Sequence, residues 1–497
     1  MNTLILTISA GGGHNAAASA ISDYINHAEL DSNVVIIDTL KYISPVLDKV
    51  FIGTYLNSLK IYPKAYDFIY SASNKPDENF TLVVDRIEEM IATRLLPLLI
   101  ELKPDIILAT HPITSQMVNL LRKKHNVKTP SMVIMTDYGT HTMWVHPGID
   151  YYVVAHEDMI PELTELGRSQ ASILPLGIPV RSSFKGEVDR KVTLQKIGLD
   201  PDLLTVTLMG GSLGMGRIRN ILNELDDIPR KFNIAVITAT NEKLYDDAIE
   251  ISLQSDKSIA VLKYCDFMNA MMNASDLLVT KPGGLTIAEA LISGVPMAIF
   301  SAIGGQEGQN SHFLVSNGLA IDIGDGEGAS QLIEDLLFDK QRLLAMADQI
   351  KLFAKPNSTE DIYHQMKKMI EEQVEPPDYS KLGTQVEMDE GNLEKFKNFM
   401  EDFKAKVESN RIMSKVMDLV RRNDMEDFEE TFYELSEDEV STIIEESLLE
   451  NLNEKQKDAA LSPPKGPSKI KSKLQFVVKS DFYSATKARL TRKLKSK

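Results

Sequence analysis

The chain has one cysteine, Cys265, and one tryptophan, Trp144, among 497 residues. A single thiol cannot build an internal disulfide framework, so packing must hold the fold, and such a chain suits a reducing compartment. No apolar run approaches the roughly 18 residues needed to cross a bilayer. The N-terminus passes from Met1 straight into strand-like residues without a basic leader, so a cytoplasmic location is expected. His141, His146 and His156 lack the spacing of metal ligands, and no metal or other cofactor is expected.

What is present is a soluble globular composition, 43% hydrophobic and 25% charged, long enough for two or three domains. The net charge of −17 is unevenly spread. Residues 465–497 hold 11 basic side chains and 1 acidic, leaving −27 on the rest. An acidic body with a basic arm can meet anionic lipid or nucleic acid through the arm.

Strand-like runs at Thr3–Ile8, Val34–Ile37, Asp105–Ala109, Met132–Met135, Tyr152–Ala155 and Ile173–Pro175 alternate with helical stretches. After Gly177-Ile178-Pro179-Val180 a second series follows: Leu203–Leu208, Ile234–Ile237, Ile259–Leu262, Leu277–Thr280, Met297–Phe300 and Ala320–Ile323. Continuous apolar runs between helices predict parallel sheets covered on both faces. The fold class is therefore α/β, with two Rossmann-like domains in tandem, 1–180 and 181–375. A helical pair, about 330–353 and 359–373, closes the second domain before Glu375-Pro376-Pro377. Residues 376–461 read as an acidic helical extension, with Leu393, Phe396, Met400, Phe403 and Val407 on one helix face. Residues 462–497 form a basic tail.

Glycine turns mark the candidate sites. Ser9-Ala10-Gly11-Gly12-Gly13-His14 follows the first strand and places a histidine at a helix mouth. Alone, Gly11-x-Gly13-x-x-Ala16 with Asp38 also fits a dinucleotide site, and a purely structural turn stays open too. The second half opens alike: Gly210-Gly211-Ser212 offers N–H groups and a hydroxyl to phosphate oxygens. In Lys281-Pro282-Gly283-Gly284-Leu285-Thr286 another strand end meets a helix start, and Glu289 follows where it can accept from a ribose diol.

Two facing Rossmann-like domains with anion loops describe the GT-B architecture. Together with Thr136-Asp137-Tyr138, His141, Trp144, His146-Pro147, Gly177–Arg181 and Gly304–Asn310, these turns give the chain a specific resemblance. It resembles the monogalactosyldiacylglycerol synthase and processive diacylglycerol glucosyltransferase group of glycosyltransferase family 28, across roughly residues 1–375. The resemblance implies an inverting transfer of glucose or galactose from a UDP-sugar to diacylglycerol at the inner membrane face. It places Arg181, Gly210, Gly211 and Ser212 on the diphosphate and Glu289 on the ribose. Lys281, Gly283, Gly284 and Thr286 also face the donor in this reading, while Glu307, Gln309 and Asn310 read sugar hydroxyls. Lys281 reads equally well as a surface lysine. His14 is the candidate general base, with Asp137 a competing base or the group that orients it. Gly12, Gly13, His141 and Trp144 line the acceptor side. The lone indole suits a bilayer interface or core packing.

The extension beyond 375 departs from the family and keeps two alternatives open: a UDP-sugar transferase acting on nucleic acid, and a non-catalytic scaffold. The aromatic and lysine-rich segment Tyr42–Ser73 reads first as an insertion of amphipathic helices packed on the domain, and second as a candidate membrane contact. In the tail, Ile470, Leu474, Val477, Val478 and Phe482 fall at helical spacing among lysines. Such a pattern is able to bind anionic headgroups at about 1 kcal/mol per basic residue, and a disordered cationic tail fits the same residues equally well. Removing residues 465–497 should weaken sedimentation with anionic vesicles in a salt-dependent way; unchanged sedimentation would show that the tail is no anchor.

Overall fold

The apolar runs become strands because Val, Ile and Leu on both faces of a strand require cover on both sides. β1 (Asn2–Thr7), β2 (Asn33–Asp38), β3 (Ile106–Ala109), β4 (Ser131–Ile134), β5 (Tyr151–Val153) and β6 (Ile173–Leu174) form one parallel sheet, ordered β2-β1-β3-β4-β5-β6. β7 (Thr205–Met209), β8 (Asn233–Ile237), β9 (Ser258–Leu262), β10 (Leu277–Thr280), β11 (Met297–Ile299) and β12 (Ala320–Asp322) form the second, ordered β12-β11-β10-β7-β8-β9. Every expected strand is found within two residues of its expected bounds.

This computed structural model describes residues 1–9, 12–43, 92–186, 188–211, 217–300, 306–373 and 377–382. All lie within the unit Met1–Phe396. Most of the Tyr42–Ser73 segment, the helical face beginning at Leu393 and the basic tail lie outside the described residues.

Register brings Leu4 beside Val35 and Ile107, and Leu208 beside Val236 and Val279. In each sheet one central strand has neighbours whose connections leave in opposite directions. A crevice opens at such a switch point, beyond the carboxyl ends of the strands. In the first sheet it lies between β1 and β3, and in the second between β7 and β10. The glycine turns at Gly12-Gly13, Gly210-Gly211 and Gly283-Gly284 follow β1, β7 and β10.

The chain crosses between sheets twice. Its outward strand, Gly177–Val180, is bonded to its return: Ser358 Oγ donates to the Ile178 carbonyl at 3.0 Å and Thr359 Oγ1 to the Val180 carbonyl at 2.8 Å. Three helices, rather than the expected pair, precede the end: Ala329–Leu337, Lys340–Phe353 and Ser358–Glu371. Asp339 separates the first two, its carboxylate accepting from the Arg342 N–H at 3.0 Å as a helix cap.

The last helix belongs by packing to the first domain, not the second. Ile362, Met366 and Met369 join Ile5, Ile21 and Ile25 in one buried cluster, and Tyr363 meets Tyr24 at 5.5 Å between rings. Periodicity marks such a helix as half-buried but carries no information on which sheet will cover it. Beyond it, the Tyr379 hydroxyl lies 2.5 Å from both the Thr129 hydroxyl and the Pro104 carbonyl, fixing Asp378–Leu382 to the first domain. Met366 is fully buried, so Met366→Ala should lower the unfolding free energy by about 2–5 kcal/mol. A loss under about 1 kcal/mol in denaturant titration would mean the helix is only loosely docked.

Candidate active site

His14 stands in the first turn of the helix Gly12–Ala28, above the switch point of the first sheet. Its Nδ1 lies 2.6 Å from the Thr110 carbonyl, at the end of β3, and 2.9 Å from Thr136 Oγ1, after β4. A carbonyl can only accept, so Nδ1 carries the proton and Nε2 keeps its lone pair. Burial pushes the imidazole down to about 4, with the Thr110 bond acting the other way. The ring is therefore neutral near pH 7, in the tautomer a proton acceptor requires.

The His111 ring packs edge-on against His14 at 4.6 Å. His111 Nδ1 accepts from the Ile113 N–H at 3.2 Å, capping the helix Pro112–His125. Its pKa is well below the usual histidine value through burial, and His14 adds to that shift. Trp144 lies fully buried at 6.2 Å from the His14 ring. A bilayer-interface role for this indole is thereby corrected; it is core beneath the histidines. His141 is also buried, and its Nδ1 accepts from the Met143 N–H at 3.2 Å, starting the turn that carries Trp144. Asp38, the acid of the dinucleotide alternative, instead takes hydrogen bonds from Ser9 and Lys41.

The second domain supplies the facing wall. The helix Gly284–Ser293 begins without a side-chain cap, and the Gly283 N–H before it donates to the Lys281 carbonyl at 2.8 Å. Gly13 of the first turn faces Leu285 of this helix: a Cβ on Gly13 would stand 3.8 Å from Leu285 Cβ. Thr286 and Glu289 follow within the same helix. Burial pushes the Glu289 carboxyl up to about 7, and the charge of Arg181 holds it back. Arg181 itself is largely exposed, its Nε 3.7 Å from Asp23 of the first domain. Gly210 and Gly211 end β7 beside β10, and Gly211 has φ +73°, a conformation glycine adopts freely. Ser212 lies outside the described residues.

Lys281 is not a surface lysine. Its Nζ lies 3.1 Å from Glu307 Oε1, and its side chain is 12% exposed. Glu307, Gln309 and Asn310 all stand on the helix Gln306–Ser316. Gln309 Nε2 donates to the Thr140 carbonyl at 3.4 Å. Asn310 is fully buried, with Nδ2 donating to Asp137 Oδ1 at 3.1 Å and to the Pro282 carbonyl at 3.0 Å. Its Oδ1 accepts from the Tyr138 N–H at 2.7 Å. Two expectations change here. The described partner of Asp137 is Asn310, and Thr110 and Thr136 hold His14 instead. Asn310 binds protein groups of both domains, where a free sugar-reading amide was expected. Burial pushes Asp137 up to about 6, Asn310 pulls it down, and Glu307 adds to the rise.

Residues 14–180 match the family model described as monogalactosyldiacylglycerol (MGDG) synthase, and residues 205–366 match the glycosyltransferase family 28 C-terminal domain. A curated relative from Staphylococcus carnosus, named processive diacylglycerol beta-glucosyltransferase, is 31% identical over 70% of this chain and 88% of its own length. The chain belongs to glycosyltransferase family 28. A relative of the same name from Bacillus pumilus is 28% identical over 73% of this chain and 94% of its length. Among solved structures, MurG of Acinetobacter baumannii covers 74% of this chain and 99% of its own at TM-score 0.50 and 16% identity. A putative UDP-N-acetylglucosamine 2-epimerase from Listeria monocytogenes gives 0.51 and 18%, covering 76% and 99%. These likenesses carry the GT-B fold. As a family 28 member the chain is a hexosyltransferase of that architecture. Among the described residues no cluster of three or more His, Cys, Asp or Glu is placed to hold a metal.

Thr110, His111, Thr136 and Tyr138 complete the site without having been singled out as functional residues. The signal available for the first two was Thr-His-Pro directly after an apolar strand. The raised Glu289 pKa has a sign that can be checked. A carboxyl at about 7 when folded and 4.5 otherwise favours folding at acidic pH and loses that contribution as pH rises through 4.5 to 7. In the substrate-free protein, Glu289→Gln should therefore flatten the fall in unfolding free energy across this range. Parallel pH profiles for variant and wild type would contradict the assignment.

Proposed function

We propose that this protein transfers a hexose, glucose or galactose, from a UDP-sugar to the hydroxyl of diacylglycerol with inversion, making a membrane glycolipid. The observation that carries the reading is the facing of the two glycine turns: Gly13 opposite Leu285, with His14 held in the base tautomer beside that gap. The processive diacylglycerol beta-glucosyltransferases among the relatives support the acceptor and the glucosyl donor.

The acceptor oxygen attacks the anomeric carbon while His14 Nε2 takes its proton, and UDP leaves with the electron pair of the broken bond. Proton removal by a positioned base contributes about 100- to 10,000-fold. The Nδ1–H of His14 remains on the Thr110 carbonyl, which steadies the imidazolium as it forms. Arg181, the Gly210-Gly211 turn, Ser212 and the helix start after Gly283, with the N–H groups of Gly284 and Thr286, meet the diphosphate charge; the Gly283 N–H itself is held by the Lys281 carbonyl at 2.8 Å. These groups take the place a cation would have, so the reaction calls for no metal. Glu289 accepts from the ribose diol, and Glu307 and Gln309 face the sugar. Gly12 and Gly13 leave room for the acceptor hydroxyl.

Among the described residues no helix is long and apolar enough to cross a membrane. Reaching a lipid acceptor then requires docking on an anionic membrane surface, for which the basic tail is the proposed contact. The protein given UDP-glucose or UDP-galactose with diacylglycerol in anionic vesicles should form glycolipid. His14→Ala should lower kcat about 100- to 10,000-fold with UDP affinity retained. Transfer to DNA and none to lipid, or equal loss of UDP binding and turnover in the variant, would overturn this reading.

A further inference from the structure

We infer that Asn310 is a positioning residue, a latch that sets the register of the two domains for transfer. The inference rests on the reading above, since it concerns the geometry of that same cleft. Acceptor and donor sit on different domains, so the reacting oxygen and carbon meet only when the domains close to one fixed distance.

Asn310 uses its whole carboxamide across that seam. Both Nδ2 protons are placed, one on Asp137 of the first domain and one on the Pro282 carbonyl of the second, while Oδ1 takes the Tyr138 N–H. The groups it ties are those beside the chemistry. Thr136, adjoining Asp137, holds His14 through its hydroxyl, and Pro282 adjoins the Gly283-Gly284 turn. Neighbouring contacts enforce the same approach. A Cβ on Gly284 would lie 1.9 Å from the Thr136 carbonyl oxygen, and one on Gly139 would lie 2.4 Å from Gln309 Oε1. One turn along the helix from Asn310, Phe313 stacks on Tyr138 at 4.6 Å. Both donors of the Asn310 amide are spent on protein groups, and the side chain is fully buried.

Exchange of the paired groups tests this. Asn310→Asp alone sets two carboxylates together and leaves the Pro282 carbonyl without its donor. It should lower kcat about 10- to 100-fold, leave UDP affinity and the preference between UDP-glucose and UDP-galactose unchanged, and enlarge the radius of gyration in X-ray scattering. Asp137→Asn combined with Asn310→Asp restores an amide-to-carboxylate bond of reversed polarity while the Pro282 carbonyl stays without its donor, and should recover compaction and part of kcat. Failure of the double exchange to recover either one, or a changed sugar preference in Asn310→Asp, would overturn the latch. Scattering is read on substrate-free protein, so it decides on the latch even if wild-type enzyme transfers no hexose to lipid.

Discussion

One close approach organises this molecule: the strand end Thr136–Gly139 of the first domain lies against the turn Pro282–Gly284 and the helix Gln306–Ser316 of the second. Gly284 leaves no space for any side chain beside the Thr136 carbonyl. From the same strand end Thr136 reaches back to His14 and Asp137 reaches forward to Asn310. His14 is thus held by the same element that meets the second domain. Lys281 and Glu307, paired at 3.1 Å, close the second side of this seam.

Burial gives the cleft a consistent electrostatic character. It drives His14 down to about 4, Asp137 up to about 6 and Glu289 up to about 7, each toward its neutral form. A low-dielectric cleft of this kind strengthens every interaction with an arriving diphosphate. Arg181, exposed and only loosely placed against Asp23, is free to turn toward such a charge. In the proposed reaction the imidazole accepts a proton while the Thr110 carbonyl already holds its other nitrogen.

The fold was legible because parallel sheets buried on both faces write themselves as apolar runs, and all twelve such runs became strands. The glycine turns were legible because backbone approach leaves a compositional trace at a strand end. Partners distant in sequence were not. Nothing local in Asn310 specifies Asp137, 173 residues away, and nothing in Ile362 or Met366 specifies the first domain over the second. Trp144 shows the limit of reading chemistry from residue type: an amphipathic ring was equally suited to an interface and to a core, and tertiary packing chose the core. Lys281 was likewise ambiguous until the helix Gln306–Ser316 brought Glu307 against it.

The extension adds a physical question that the relatives do not pose, since their matches span 70–75% of this chain. Among its described residues, Tyr379 against Pro104 and Thr129 ties it to the amino-terminal end of the strands, away from the crevices. The proposed reaction rests on a single base and a single displacement. The anomeric configuration of the product answers that most directly, by the proton coupling at the anomeric carbon after reaction with UDP-α-glucose. One base and direct attack predict a β-linked glucolipid; an α-linked product would contradict the role given to His14.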